Sequence, residues 1–129
     1  MKTNDLRIGN WIADRGLKEW QIDHWETINK VSSKASTSMF MGIMMETHPL
    51  TEYVDYLRPI PLTEEWLLKF GFKSIQDGWY EYSNSNITFS WNIYDRQLRF
   101  LGEPFNIQYV NQLQNLYYSL TGEELEVKQ

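Results

Sequence analysis

The chain has 129 residues, a net charge of −5 from 12 basic and 17 acidic side chains, and no cysteine. This length fits a single domain with its own core, and the lack of cysteine excludes disulfides, thiolate metal sites and thiol nucleophiles. The basic residues form no cluster on an acidic chain, which disfavours nucleic acid as a partner.

Residues 1–58 carry the patterns of several short, bent β-strands. The apolar positions change phase between residues 20 and 28, and a β-bulge near His24 would reconcile the two phases. Further strands are predicted at residues 39–45, a methionine-rich run, and at residues 53–57. Together these patterns predict an antiparallel, partly barrel-like group of strands.

A short helix is predicted directly after Pro61. Thr63 is a suitable N-cap because its hydroxyl can accept a hydrogen bond from an otherwise unpaired helix N–H. Glu64 and Glu65 then complement the positive end of the helix. Gly71 can adopt the left-handed conformation that commonly ends a helix.

A three-stranded meander is predicted after this helix. Apolar and polar residues alternate strictly over residues 87–93, which indicates a strand with one buried face. Its neighbours are predicted at residues 79–82 and 98–101, with turn-forming residues between them.

A second helix is predicted from about Ile107 to Leu120, capped by Asn106 and ended by Gly122. Its predicted apolar stripe consists of Val110, Leu113, Tyr117 and Leu120.

The predicted fold class is therefore α+β, as one domain over residues 1–129. A strand-rich part (residues 1–58) precedes an α-β-β-β-α part (residues 59–122) whose two helices pack on a sheet. Residues 123–129 are predicted to be a solvated acidic tail.

Three segments carry a resemblance to a known family: LRIGNWI at residues 6–12, PIPLTEEWLLKFGF at residues 59–72, and YVNQLQNLYYSLTGEEL at residues 109–125. They resemble an uncharacterised family of small proteins found in gut Bacteroidota, their phages and their mobile elements. The match covers about a third of the chain. The resemblance implies a bacterial or phage cytoplasm, and it carries over no activity and no functional residue.

Catalytic and cofactor motifs are missing from the sequence. There is no P-loop, GxGxxG, GxSxG or HExxH pattern, and the two histidines, His24 and His48, lie far apart. On a strand Asp23 and His24 would point to opposite faces, so we interpret His24 as a solvated or hydrogen-bonded side chain. No cofactor, metal or specific small molecule is predicted, and no apolar run reaches the ~20 residues of a membrane span.

The second helix presents a candidate partner-binding surface. Residues 104–122 contain no charged side chain, although exposed helix faces normally mix charges of both signs. The predicted outward residues are Gln108, Asn111, Gln112, Asn115 and Ser119. Because charges are depleted from interface cores, this surface is predicted to meet a partner protein or a second copy of the chain.

Three functions from different classes are open at this point. The favoured hypothesis is a non-catalytic protein-interaction module, such as an accessory protein of a phage or mobile element. One alternative is single-stranded nucleic-acid binding by an aromatic sheet face, with Arg96 and Arg99 beside Trp91. The other is a glycan-binding or hydrolytic domain that uses exposed tryptophans. Residues 39–45 are predicted to be either core or interface.

Overall fold

A computed structural model describes residues 5–27, 29–33, 37–40, 43–46, 51–84 and 87–128. These residues form an α+β structure, as predicted. The chain divides into two compact units, Met1–Ile60 and Pro61–Gln129. This division lies close to the predicted change of character after residue 58. That the whole chain acts as one domain stays a prediction.

Seven short strands lie in the described part of the first unit. They are β1 (Trp11–Ala13), β2 (Glu19–Gln21), β3 (His24–Thr27), β4 (Lys30–Ser32), β5 (Thr37–Phe40), β6 (Ile43–Glu46) and β7 (Thr51–Tyr53). They pair antiparallel as β1–β2, β3–β4–β7 and β5–β6, and these described strands form no closed barrel. The register of β3 on β4 shifts between Trp25 and Thr27, close to the bulge predicted near His24.

The core of this unit collects apolar side chains from its strands and from the segments beside them. It consists of Leu6, Ile12, Trp20, Ile22, Val31, Val54 and Leu57. Ile12 and Trp20 lie directly opposite each other on β1 and β2, an arrangement in which cross-strand side chains stabilise a short sheet.

Two strand predictions in this unit are corrected by the structure. Residues 53–57 are not a strand, because Val54–Tyr56 form a 3-10 turn after β7. The three-residue spacing of this turn buries both Val54 and Leu57. Residues 39–45 are not one strand but contribute to two, since β5 and β6 pair antiparallel with Met39 opposite Met44. The choice between core and interface for residues 39–45 depends on side chains that lie outside the described part of the structure. His48 lies outside it as well.

The second unit has two helices and five strands in its described residues. They are α1 (Glu64–Phe70), β8 (Lys73–Gln76), β9 (Trp79–Ser83), β10 (Thr88–Asn92), β11 (Gln97–Phe100), β12 (Glu103–Phe105) and α2 (Val110–Thr121). The sheet order is β12-β11-β10-β9-β8, an antiparallel meander. The three predicted strands are confirmed at its centre, and the structure adds one strand at each edge.

Helix α1 begins and ends as predicted. The Thr63 hydroxyl accepts a hydrogen bond from Trp66 N at 3.4 Å. Gly71 has a left-handed φ of 101°, and Phe72 N donates to Leu67 O at 2.9 Å, which satisfies a carbonyl that the helix leaves unpaired.

One face of the sheet carries the large apolar residues. Tyr82 lies opposite Phe89, and Tyr80 lies opposite Trp91. All four are buried. The ring of Tyr117, from α2, contacts Tyr82 and Phe89 at centroid distances of 5.8 Å and 6.3 Å.

Helix α2 begins three residues later than the sequence predicts. The segment before it is extended, because Leu62 N donates to Gln108 O at 2.9 Å and Pro61 forms a β-bridge with Tyr109. Asn106 therefore is not the N-cap; its side chain accepts instead from Gln108 Nε2. Gly122 ends the helix with a left-handed φ of 74°, as predicted.

The segment after α2 is anchored to the second unit. Leu125 is only 2% exposed, and Lys128 N donates to Lys69 O at 2.6 Å. The three glutamates of this segment, Glu123, Glu124 and Glu126, are exposed. The acidic side chains are therefore solvated as predicted, whereas the backbone between them is held by Leu125.

Candidate functional site

The surface that we call the outward face of α2 consists of six side chains that are exposed or half-buried: Gln112, Asn115, Leu116, Tyr118, Ser119 and Leu120. The buried residues of the same helix are Val110, Asn111, Leu113, Gln114 and Tyr117. The two sets lie on opposite sides at helical spacing, so one side of α2 is buried and the other is exposed or half-buried.

The five residues that the sequence assigns to a partner surface have different positions. Gln112, Asn115 and Ser119 are neighbours on the outward face. Gln108 is exposed but precedes the helix, and Asn111 is only 4% exposed. Three of the five are thus brought together on one helix face, while Asn111 lies on its buried side.

Two polar side chains of the outward face also have roles within the chain. Gln112 Oε1 accepts hydrogen bonds from Gln108 N at 2.9 Å and from Tyr109 N at 3.1 Å. These bonds satisfy backbone donors before the helix, in the manner of a capping box. Ser119 Oγ donates to Leu116 O at 3.0 Å. Each still presents further hydrogen-bonding capacity to solvent, since an amide and a hydroxyl can both donate and accept.

Two large apolar residues of this face were not predicted to be exposed. Leu120 was assigned to the apolar stripe, but it is 43% exposed, and Tyr118 is 42% exposed. Gln114, by contrast, has no exposed surface although it is polar. The outward face therefore combines amides and a hydroxyl with tyrosine and leucine, and aromatic residues without charges are typical of interface cores.

Charges lie beside this face rather than on it. Val110–Thr121 contains no Asp, Glu, Lys, Arg or His, and the first turn has no acidic side chain. Glu123 and Glu124 follow directly after Gly122 and are exposed. The C-terminal end of α2 is thus acidic, whereas its N-terminal end carries only the partial positive charge of the helix dipole.

A second surface is a cleft of ≈ 780 Å³. Several of its lining side chains lie on one face of the sheet, and Phe89 lies on the other face. Ser90 lies directly opposite Arg99 on the face that lines the cleft, and the Arg99 guanidinium stacks 4.9 Å from the centre of the Trp79 ring. Arg99 also binds Asp95 at 2.6 Å, and this bond holds the pKa of the Asp95 carboxyl below its usual value. The arginine is therefore already ion-paired within its own chain.

The tryptophans offer little surface for stacking. Trp20, Trp66 and Trp91 are buried, and the remaining three (Trp11, Trp25 and Trp79) are half-buried. Trp91 lies opposite Leu98 on the covered side of the sheet, and Arg99 lies on the other side. Arg99 and Trp91, which the nucleic-acid hypothesis places beside each other, therefore lie on opposite faces of the sheet, because neighbouring positions on a strand point to opposite faces.

A third surface is an acidic cleft of ≈ 580 Å³ whose lining includes Tyr82, Tyr117 and Glu123. The Tyr117 hydroxyl accepts a hydrogen bond from Asn84 Nδ2 at 2.7 Å. Burial, and then the neighbouring Tyr82 hydroxyl, raises the pKa of Tyr117. Its hydroxyl therefore stays protonated at neutral pH, which makes it unsuited to act as a base. In the described ranges no group of three or more ligand side chains could hold a metal ion.

The His24 side chain is placed differently from the sequence prediction. Its Nδ1 lies 2.5 Å from Asp23 Oδ1, so the two side chains meet instead of pointing to opposite faces. Asp23 precedes β3, and the alternation of a strand does not apply to it. The hydrogen-bonded state predicted for His24 is confirmed.

Neither of the helices in the described residues has the length and apolarity that a membrane crossing requires. Comparison of the chain with protein-family models, with curated proteins and with solved structures found no match. The family resemblance of the three segments accordingly stays a prediction.

Proposed function

We propose that the protein is a non-catalytic interaction module that engages another protein surface through the outward face of α2. The observation that carries this proposal is that all twelve residues of α2 are uncharged while Tyr118 and Leu120 remain 42% and 43% exposed. Charged side chains on a solvated helix face stabilise the helix through ion pairs one turn apart. An interface core excludes charges because an unpaired buried charge is costly.

The alternative functions have weaker support. The half-buried or buried state of the tryptophans disfavours both base stacking and sugar stacking, which need an open ring face. The net charge of −5 also opposes a phosphate backbone. From the resemblance carried by residues 6–12, 59–72 and 109–125 we infer a cytoplasmic accessory role in a bacterium or its phage. We also infer that α1 and α2 cover one face of the sheet, a packing that turns the outward face of α2 to solvent.

The absence of cysteine allows a direct test by site-specific crosslinking. Single cysteines at Asn115 or Ser119 would carry a photoreactive label, and matched controls would carry it at the exposed Gln76 or Gln97 of the sheet. We expect one protein species, identified by mass spectrometry, to be attached from both helix positions and from neither control. If the same crosslinked proteins form whichever of the four positions carries the label, the proposal is contradicted.

A further inference from the structure

We propose that the outward face of α2 binds the same face of a second copy of this chain, with the two helices antiparallel about a twofold axis. This inference rests on the proposed function, because it names the partner of the same surface. Most soluble oligomers are assembled from identical subunits with twofold symmetry, in which one patch must complement itself.

The charge distribution favours contact between two copies at this face. Each copy carries a net charge of −5, so approach at an acidic surface is opposed by like charges. The outward face of α2 has no ionised group, and two copies can meet there without placing like charges in contact. A strongly basic partner would instead bind more favourably at the exposed glutamates elsewhere on the chain.

The polar residues of the face complement themselves in an antiparallel pair. The midpoint of Val110–Thr121 lies between residues 115 and 116, so a twofold axis at the midpoint places Asn115 opposite Leu116 of the other copy and brings both Asn115 side chains close to the axis. Gln112 and Ser119 are equally far from that midpoint and therefore face each other across the pair. Amides and hydroxyls both donate and accept, so these contacts need no charge.

The ends of the helix select the antiparallel orientation over the parallel one. Glu123 is exposed just beyond the C-terminal end of α2, and the first turn of α2 has no acidic residue of its own. In an antiparallel pair each Glu123 lies near the N-terminal end of the other helix, where a negative charge is favourable. In a parallel pair the two glutamates would instead lie side by side.

The size of the surface sets the expected strength. A helix of twelve residues is about 18 Å long, so one helix pair buries less than the ~800 Å² per partner of a standard interface. Tyr118 and Leu120 supply the apolar area at the side of the polar contacts. We therefore expect a reversible dimer with a dissociation constant in the micromolar range.

The test is sedimentation velocity of the purified chain over concentrations from about 1 to about 200 µM. We expect wild type to shift from monomer to dimer. Asn115→Lys and Asn115→Glu should each weaken dimerisation by at least about 10-fold, because like charges then meet at the axis. An equimolar mixture of the two variants should regain the dimer, since opposite charges are then paired. Gln97→Lys and Gln97→Glu on the exposed part of β11 are the matched controls and should leave association unchanged.

A second pair of variants tests the dimer without changing Asn115. It is used if circular dichroism shows that substitution of Asn115 disturbs folding. Ser119→Lys alone should weaken the dimer, and Ser119→Lys combined with Gln112→Glu in the same chain should restore it. Glu at residue 112 keeps the acceptor that Gln112 supplies to Tyr109 N.

The outcomes separate this inference from the proposed function. A wild-type chain that stays monomeric throughout, or a dimer that ignores every substitution on α2, overturns the second-copy inference. If crosslinks from Ser119 then lead to a different protein, the proposed function stands without it. Position-independent crosslinks together with a monomeric chain overturn both.

Discussion

Thr63 and Gly71 fix the two ends of α1 by different physical means. Thr63 supplies an acceptor, and its bond to Trp66 N is long at 3.4 Å. Gly71 supplies a conformation, since its φ of 101° is one that residues with a Cβ rarely adopt. A Cβ at Gly71 would also lie 3.2 Å from Lys128 Cγ. Both effects were predictable from the sequence because caps depend on local backbone geometry.

We expect Gly71→Ala to lower the free energy of unfolding by roughly 1–2 kcal/mol. Thr63→Ala should lower it by about 0.5–1 kcal/mol, at the weak end for a cap because the bond is long. Gly16→Ala is the control, since Gly16 has no left-handed φ and a Cβ there meets only Asp14 Oδ1 at 3.5 Å. Urea melts of the three variants would measure these differences, and a Gly71→Ala variant as stable as wild type would falsify the assigned role of the left-handed conformation.

At the scale of elements, α2 shows where sequence patterns succeed and fail. Its end at Gly122 and the burial of Val110, Leu113 and Tyr117 follow from periodicity. The sequence pattern could not show that Gln114 is buried and Leu120 exposed. A hydrophobicity pattern places polar residues outside, and it takes no account of the interactions that allow a polar residue to be buried. Gln114 is buried and does not lack an interaction partner. The late start of α2 likewise depends on a long-range pairing with Pro61.

The two edge strands of the sheet were missed for a related reason. All four residues of β8 are exposed, so this strand has no buried face and no alternation to detect. Strand β12 has three residues and contains Pro104, which lacks an N–H and is tolerated only at an edge. Edge strands form because a neighbour pairs with them, and that information lies outside their own sequence.

Leu113 and Leu120 of α2 give a matched test of which side is buried. Leu113→Ala should destabilise the second unit by about 2–5 kcal/mol, because it leaves a cavity at a position with no exposed surface. The same change at Leu120, which is 43% exposed, should alter stability by no more than about 0.5 kcal/mol. Thermal melts at low protein concentration, where association is minimal, would measure both, and equal losses would mean that the stripe has been assigned to the wrong side.

For the whole molecule, charge determines which partners are accessible. The acidic excess lies mainly in the second unit, which carries nine acidic and five basic side chains, against eight and seven in the first. Basic side chains stack on aromatic rings in both units: Arg15 lies over Tyr56 in the first, and Arg99 lies over Trp79 in the second. The charge of a cation that stacks on an aromatic ring of its own chain is partly stabilised there. We therefore expect the molecule to bind a neutral protein surface rather than a polyanion.

We expect no tight, nonspecific binding of nucleic acid at physiological salt. The reason is the net charge of −5 without a basic cluster. Fluorescence anisotropy with mixed-sequence single strands would measure binding, with added salt as the control for electrostatic attraction. Micromolar affinity that weakens as salt is added would restore the nucleic-acid hypothesis.

The chain order of the strands in the second unit has a consequence for how quickly this unit folds. From β8 to β12 every strand pairs with its nearest neighbour along the chain, so none of these strand pairings requires the closure of a long loop. The entropy lost when two segments meet rises with the length of chain between them, and folds dominated by local pairings reach the native state faster than those that join distant strands. The hairpin of β9 and β10, with five opposed residue pairs, can therefore form first and serve as a template onto which β11, and then the edge strands, add.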